Sequence, residues 1–311
     1  MIRISVPATS ANIGAGFDTL GIALALPASF NVEPADTTSI SGCPVEFQTE
    51  DNLFLRSMRK ANEILGYKNR PIRLHIESAI PVARGLGSSA ALTVGGVLAV
   101  MRRGGAGTAE PLSTDEKALA LRIATLIEGH PDNAAPALMG GFCASMIHAG
   151  ADSAMPDVVP AVHVGASPVA ESWTFHALIP PFELSTALAR AALPASVSLH
   201  DAVFNISHAV MTALAFARGD ASLLAGSVQD LLHQPYRKSL IPGYDAAMDA
   251  CRQGGADAVW LSGAGPTIMA VAADLEQSGK LSASLDEFCR VQGWKHLALK
   301  PDNRGAEVND A

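Results

Sequence analysis

Gly85-Leu86-Gly87-Ser88-Ser89 is the segment of this chain whose residue types most directly imply chemistry. Two glycines let the backbone come close to a ligand, and two hydroxyls follow. The apolar positions Leu92, Val94, Val97, Leu98 and Met101 then predict a helix that starts at the hydroxyls. The first N–H groups of such a helix have no partner within it, and they sit at the positive end of its dipole, so the segment suits a phosphate. No lysine follows the glycines, which excludes a P-loop, and no downstream acidic residue in a βαβ pattern supports a dinucleotide site. A Gly-Ser-Ser string alone is more often a helix cap, and the full string from Pro81 is more specific.

Other segments mix polar groups with small residues. Segment 7–21 is rich in small and polar residues and predicts a functional loop running into a strand; within it 7–18 carries Thr9, Ser10, Asn12 and Asp18, although Asn and Asp commonly satisfy only their own backbone in such turns. Residues 128–133, Glu-Gly-His-Pro-Asp-Asn, break a helical pattern as a polar loop. Gly263-Ala264-Gly265-Pro266 lies between two short apolar strands and by itself reads as a hairpin turn.

The elements that must position these groups fall into two sets. In the first, 2–6 alternates as a strand, Asp51 can cap a helix over 52–65 that Gly66 ends, and Ile72, Leu74 and Ile76 alternate as a half-buried strand. Ser113 with Glu116 forms a capping box for a helix to about 127, and 141–147 reads as a strand. Residues 149–172, rich in Ala, Pro, Gly and Asp, read as the connection between two lobes. Beyond it come a strand at 173–179, helices at 199–218, 221–233 and 244–253, strands at 258–261 and 267–271, a helix at 275–291 and a strand at 294–299. That order suits a split βαβ sandwich of ferredoxin-like type.

Composition narrows the class. The chain has 311 residues, 49% of them apolar and 17% charged, which is enough for two lobes and argues against disorder. A net charge of −8 argues against nucleic acid as a partner and means that any phosphate must be neutralised locally. Cys43, Cys143, Cys251 and Cys289 are dispersed, so neither structural zinc nor a disulfide framework is expected and a reducing, cytoplasmic setting fits. The N-terminus lacks a signal-peptide layout, and the apolar stretch 90–101 is interrupted by glycine and too short to span a bilayer, so no membrane is expected as a partner.

Taken together, the segments at 7–18, 81–91 and 263–266 resemble, in order and spacing, those of the GHMP kinase family, and the likeness runs from Val6 to the tail at 302–306. It implies an α+β, two-lobe GHMP kinase fold. The N-terminal lobe (1–160) would be of ribosomal-protein-S5-domain-2-like type, and the C-terminal lobe (161–311) a ferredoxin-like α/β sandwich. It also implies ATP, Mg²⁺ and a small hydroxylated acceptor. Residues 9–18, 128–133, 185–190 and 234–237 are similar to segments of the branch that acts on L-homoserine, apart from Ala15, where Pro is frequent, and Ala134, where Val is usual. Neither change removes a polar group. Another GHMP kinase, such as one acting on mevalonate, is the alternative, and a homodimer is possible.

The same resemblance assigns roles. Pro81, Val82, Ala83, Arg84, Gly85, Leu86, Gly87, Ser88, Ser89, Ala90 and Ala91 would hold ATP. Asn52 would lie near adenine, unless it serves only as a helix-start residue. Glu128 and Ser89, with Ser88 as the alternative, would ligate Mg²⁺; a carboxylate at the end of a helix needs some such compensation. Arg190 and Arg237 would grip the acceptor's carboxylate, because a guanidinium fork matches one. Asp18 and Asp132 would take its ammonium and hydroxyl, with Asn12 beside them, His130 orienting the loop or the substrate, and Thr186 and Gly263 completing the site. Glu128, Asp132 and Asn133 form the expected catalytic group, with either Asp132 or the γ-phosphate accepting the hydroxyl proton.

Overall fold

The computed structural model describes residues 1–104, 111–148 and 159–310. The first lobe is built on a long hairpin, β1 (Ile2–Ala11) and β2 (Leu20–Pro34). β1 does not stop at Val6. Thr9, Ser10 and Ala11 pair with Ala23, Ile22 and Gly21 and are buried, so the first part of the expected loop, as far as Ala11, is strand and the turn at 12–19 remains. The register shifts where Pro7 meets Pro27, a place where neither residue could donate to the ladder.

β3 (Ser39–Ser41) lies parallel to β4 (Ile72–Ser78), which pairs with the second half of β2; β5 (Phe142–His148) pairs with the first half. Between them α1 (Leu53–Leu65), α2 (Ser88–Gly104), α3 (Thr114–Glu128) and the short α4 (Ala134–Met139) cover the sheet. α1 starts one residue later than expected. Asn52, not Asp51, is its cap, accepting from Phe54 N at 2.9 Å. The capping box at Ser113 and Glu116 is present, and Gly66 and Gly129 close their helices in the left-handed conformation.

The sheet extends past residue 160. β6 (Ala161–Ser167), expected within the connection, pairs with β5 throughout. β11 (Glu307–Asp310), at the far end of the chain, pairs with β1. Residues 149–158 of that expected connection lie outside the described residues.

The second lobe holds β7 (Thr174–Ile179), α5 (Thr186–Ala191), α6 (Leu199–Arg218), α7 (Ala221–Ser227), α8 (Gln234–Arg237), α9 (Tyr244–Gln253), β8 (Ala258–Leu261), β9 (Ile268–Ala272), α10 (Leu275–Gln292) and β10 (Lys295–Leu299). Its sheet has the order β10-β7-β9-β8, all antiparallel, which is the ferredoxin-like arrangement. Every residue of β7 is buried because the sheet is covered on both faces. Phe175, Ala177 and Ile179 join the core of the first lobe with Trp260, Met269 and Val271, while Leu178 joins Leu261, Ile268, Leu281 and Leu285 in a second core with α9 and α10.

The helix expected over 221–233 ends at Ser227. The buried carboxylate of Asp230 accepts from the backbone N–H groups of Leu232, His233 and Gln234, at 2.9, 3.0 and 2.6 Å. That local bonding replaces the helical ladder and starts α8 afresh. Among the described residues, no helix is long and apolar enough to cross a membrane.

Candidate active site

The glycine loop sits where the lobes meet. Ala83, Gly85 and Gly87 adopt positive φ of 52°, 76° and 73°, which lays the backbone open ahead of the α2 N-terminus. The second lobe supports it: the Ser262 hydroxyl donates to Gly85 O at 2.6 Å, and Leu184 N to Ala83 O at 3.2 Å. Leu86, Ala90 and Ala91 turn their side chains into the core, so what they can offer a ligand is backbone. Arg84 lines the cleft and also braces the joint. Its guanidinium donates to the carbonyls of Pro180, Pro181 and Val82 and lies 3.4 Å from Glu183, which makes it a strut between the lobes. Residues 81–85 and 87–91 line the cleft. Asn52 lines it too, but its amide is bonded to Phe54 N and to Phe47 O (2.8 Å), so its structural role is the one observed.

Behind the loop, Glu128 ends α3 opposite the start of α2. Ser89 Oγ lies 2.9 and 3.0 Å from its two oxygens, and Thr93 Oγ1 lies 2.5 Å from Oε1. The positive end of α2 and two hydroxyls thus offset a carboxylate at the negative end of α3. All donors here are hard oxygens, the set a magnesium ion takes. Thr93 escapes the motif; the signal that finds it is its position four residues after Ser89, on the same helical face.

The other end of the cleft is charged. The left-handed turn residues Asn12 and Asp18 (φ 70° and 53°) meet there: Asp18 N donates to Asn12 Oδ1 at 3.0 Å, and Asn12 Nδ2 donates to Gly263 O at 2.8 Å. Asn12 and Gly263 therefore clamp the two lobes together. Asp18 and Arg190, expected to take opposite ends of a substrate, hold each other in a two-pronged ion pair, at 2.8 and 3.0 Å. Arg237, 2% exposed, donates through Nε to Ala189 O (3.3 Å) and through Nη1 to Gly263 O (3.2 Å) and His233 Nδ1 (3.3 Å). Its usual fork is thus partly occupied, and Nη2 is the nitrogen it can present. Both guanidiniums lie over the Phe17 ring, at 5.6 and 5.2 Å. Thr186, at the start of α5, is exposed on the cleft wall.

Asp132 is buried and accepts from His130 Nδ1 at 2.5 Å and from Asn133 Nδ2 at 3.3 Å; Thr9 Oγ1 in turn donates to Asn133 Oδ1 at 2.8 Å. Burial opposes the charged form of His130, but the bond to Asp132, its charge and that of Asp18 win and raise its pKa. Burial, with Arg190 nearby, lowers the pKa of Arg237. Atoms of Asp18, His130 and Asp132 lie within 4.8 Å of one another, a cluster able to receive a cation. Asn12, Asp18, Ser89, Glu128, Asp132 and both arginines line one cleft of about 1100 Å³. Phe17, His233, Asp230, Thr93 and Ser262 are the participants that sequence reasoning missed.

A helix N-terminus open to phosphate, hard oxygens behind it and a charged pocket across from it define the class: a nucleotide-dependent kinase of a small polar molecule. Residues 52–141 match the family described as GHMP kinases N terminal domain, and 212–291 the GHMP kinases C terminal family. The chain is 39% identical to a homoserine kinase of Clostridium beijerinckii over 99% of its own length and 98% of the relative's. A crystal structure of homoserine kinase from Cytophaga hutchinsonii superposes with a TM-score of 0.79 at 28% identity, covering 99% of this chain and 96% of that one. A putative homoserine kinase from Listeria monocytogenes gives 0.77 at 29% identity over the full length of both. The chain belongs to the GHMP kinase family, and within it to the homoserine kinases.

Proposed function

We propose that this enzyme transfers the γ-phosphoryl group of ATP to the side-chain hydroxyl of L-homoserine, yielding O-phospho-L-homoserine and ADP, a step of threonine biosynthesis in the cytoplasm. The observation that carries the reading is the Asp18–Arg190 ion pair, flanked by Arg237 and facing the phosphate loop across the cleft. A zwitterion can replace that pair charge for charge, its ammonium on Asp18 and its carboxylate on Arg190 and on Nη2 of Arg237. Mevalonate, a carboxylate without an ammonium, would leave Asp18 uncompensated, which disfavours the alternative.

ATP phosphates would lie on the N–H groups at the start of α2, over Gly85–Ser89. Glu128 and Ser89 would hold magnesium, which supplies charge neutralisation on the phosphates. Asp132 Oδ1 is taken by His130 and Asn133, so its other oxygen is left to accept the acceptor's hydroxyl and aim it. Little covalent assistance is needed in phosphoryl transfer, so alignment by Asp132 is its main contribution.

A homodimer is part of the proposal. Leu199, Val203, Ile206, Val210 and Leu214 form an exposed, uncharged stripe along α6, which suits a second copy. The catalytic reading is tested by incubating the enzyme with ATP, Mg²⁺ and either homoserine, mevalonate or galactose, then identifying the products by mass spectrometry. Phosphohomoserine should form and the other two acceptors should remain unmodified. Phosphomevalonate as the main product would replace this reading by the alternative.

A further inference from the structure

We infer that His233 is the positioning residue of Arg237, with Asp230 and Asn205 fixing the histidine in turn; the inference rests on Arg237 gripping the substrate carboxylate. A guanidinium carries only donors, so the contact between Arg237 Nη1 and His233 Nδ1 at 3.3 Å requires Nδ1 to be a bare acceptor. On the opposite edge, His233 Nε2 lies 2.8 Å from Gly14 O, which can only accept. Two independent neighbours therefore demand the same neutral tautomer, with its proton on Nε2. The ring is fully buried and stacks on Phe17 at 5.4 Å, the ring over which both guanidiniums lie.

The support behind it is equally enclosed. Asp230 Oδ2 lies 3.5 Å from His233 Nε2, while its carboxylate binds the backbone of its own loop and Asn205 Nδ2 at 2.7 Å. Asn205 Oδ1 accepts from Leu231 N at 2.8 Å, and its Nδ2 also reaches Ala15 O at 3.3 Å, so one side chain ties this loop to the Asn12–Asp18 turn. Burial lowers the pKa of His233, Asp230 opposing and the Arg237 charge assisting, which agrees with the neutral form the geometry demands. The result is an arginine with Nε and Nη1 committed to the protein, which leaves Nη2 to serve the cleft that Arg237 lines. Without the Nδ1 acceptor, one Nη1 hydrogen loses its partner and the guanidinium is free to turn.

Two substitutions separate the halves of this role. His233→Gln keeps a donor near Nε2 for Gly14 but has no acceptor at Nδ1; His233→Asn keeps an acceptor near Nδ1 and gives up the Gly14 bond. Steady-state ADP release is measured with homoserine and with 3-aminopropanol, which has no carboxylate. His233→Gln should raise the homoserine KM by about 10- to 100-fold while the ATP KM and the kcat/KM for 3-aminopropanol stay within about twofold. His233→Asn should restore most of the homoserine KM. Added to Arg237→Leu, His233→Gln should cost nothing further, because the two residues act as a unit. Equal KM increases for Gln and Asn, equal losses on both substrates, or multiplying losses in the double variant would overturn the inference. Wild-type enzyme with equal kcat/KM for homoserine and 3-aminopropanol would overturn the carboxylate reading itself, and the inference with it.

Discussion

At the scale of single residues, the cleft works by giving each charge a defined partner. Glu128 shows this best, since a carboxylate at the end of α3 would be disfavoured without the Ser89 and Thr93 hydroxyls and the start of α2. Thr93→Val removes only the hydroxyl that supports the carboxylate and should lower turnover by about 10- to 100-fold, while Glu128→Ala should lower it further. Mg²⁺ titrations of turnover check both: the Thr93 variant should need more Mg²⁺ than wild type. Unchanged activity and Mg²⁺ dependence in both variants would remove Glu128 from the metal site.

At the scale of elements, motif residues close in sequence were legible, while contacts between distant segments were not. The glycine loop, the caps at Ser113 and Gly66 and the ferredoxin-like order follow from local patterns. The Asp18–Arg190 pair, by contrast, joins β1–β2 to α5, and no period or spacing encodes such a contact. Arg84 was read with its motif, yet the carbonyls that claim it belong to the segment after β7. β6 was hidden because pairing with β5, rather than its own alternation, makes it a strand.

The glycines carry a similar lesson. A Cβ at Gly87 would overlap the Thr9 hydroxyl, in a backbone of positive φ, before any nucleotide arrived. Gly87→Val should therefore lower the thermal midpoint without ATP as well as weaken ATP binding, and calorimetry of the nucleotide-free protein decides it; an unshifted midpoint would contradict the packing. A second element-scale prediction concerns β7 and β10. His176 Nδ1 lies 3.0 Å from His296 Nε2, and the two rings stack at 5.3 Å. Burial first, and the neighbouring His296 next, push His176 down to about 4. The unfolded chain then takes up this proton first, so the contribution of neutral His176 is complete above about pH 6.5 and is lost as pH falls through about 4. Denaturant titrations should find about 3 kcal/mol of stability lost through this group over that window. His176→Asn should flatten the pH dependence by about that amount, and an unaltered slope would contradict the assignment.

At the scale of the whole molecule, the lobes share one cleft because each depends on the other. The last strand of the first lobe comes from the end of the chain, the core of the first lobe includes one face of the second lobe's sheet, and Asn12, Ser262 and Arg84 bridge the joint. This arrangement places the phosphate loop of one lobe opposite the arginines of the other, so acceptor selection is separated from phosphate binding. The central claim is that the acceptor is chosen as a zwitterion by the Asp18–Arg190 pair with Arg237. Its most direct test is kcat/KM for homoserine against its two half-charged analogues, 3-aminopropanol and 4-hydroxybutanoate, at saturating ATP and Mg²⁺. Losing one charge leaves a buried or half-buried partner unpaired, at a cost of about 2–5 kcal/mol, so each analogue should fall by at least about thirtyfold. Turnover of 4-hydroxybutanoate or of 3-aminopropanol at the homoserine rate would contradict the account.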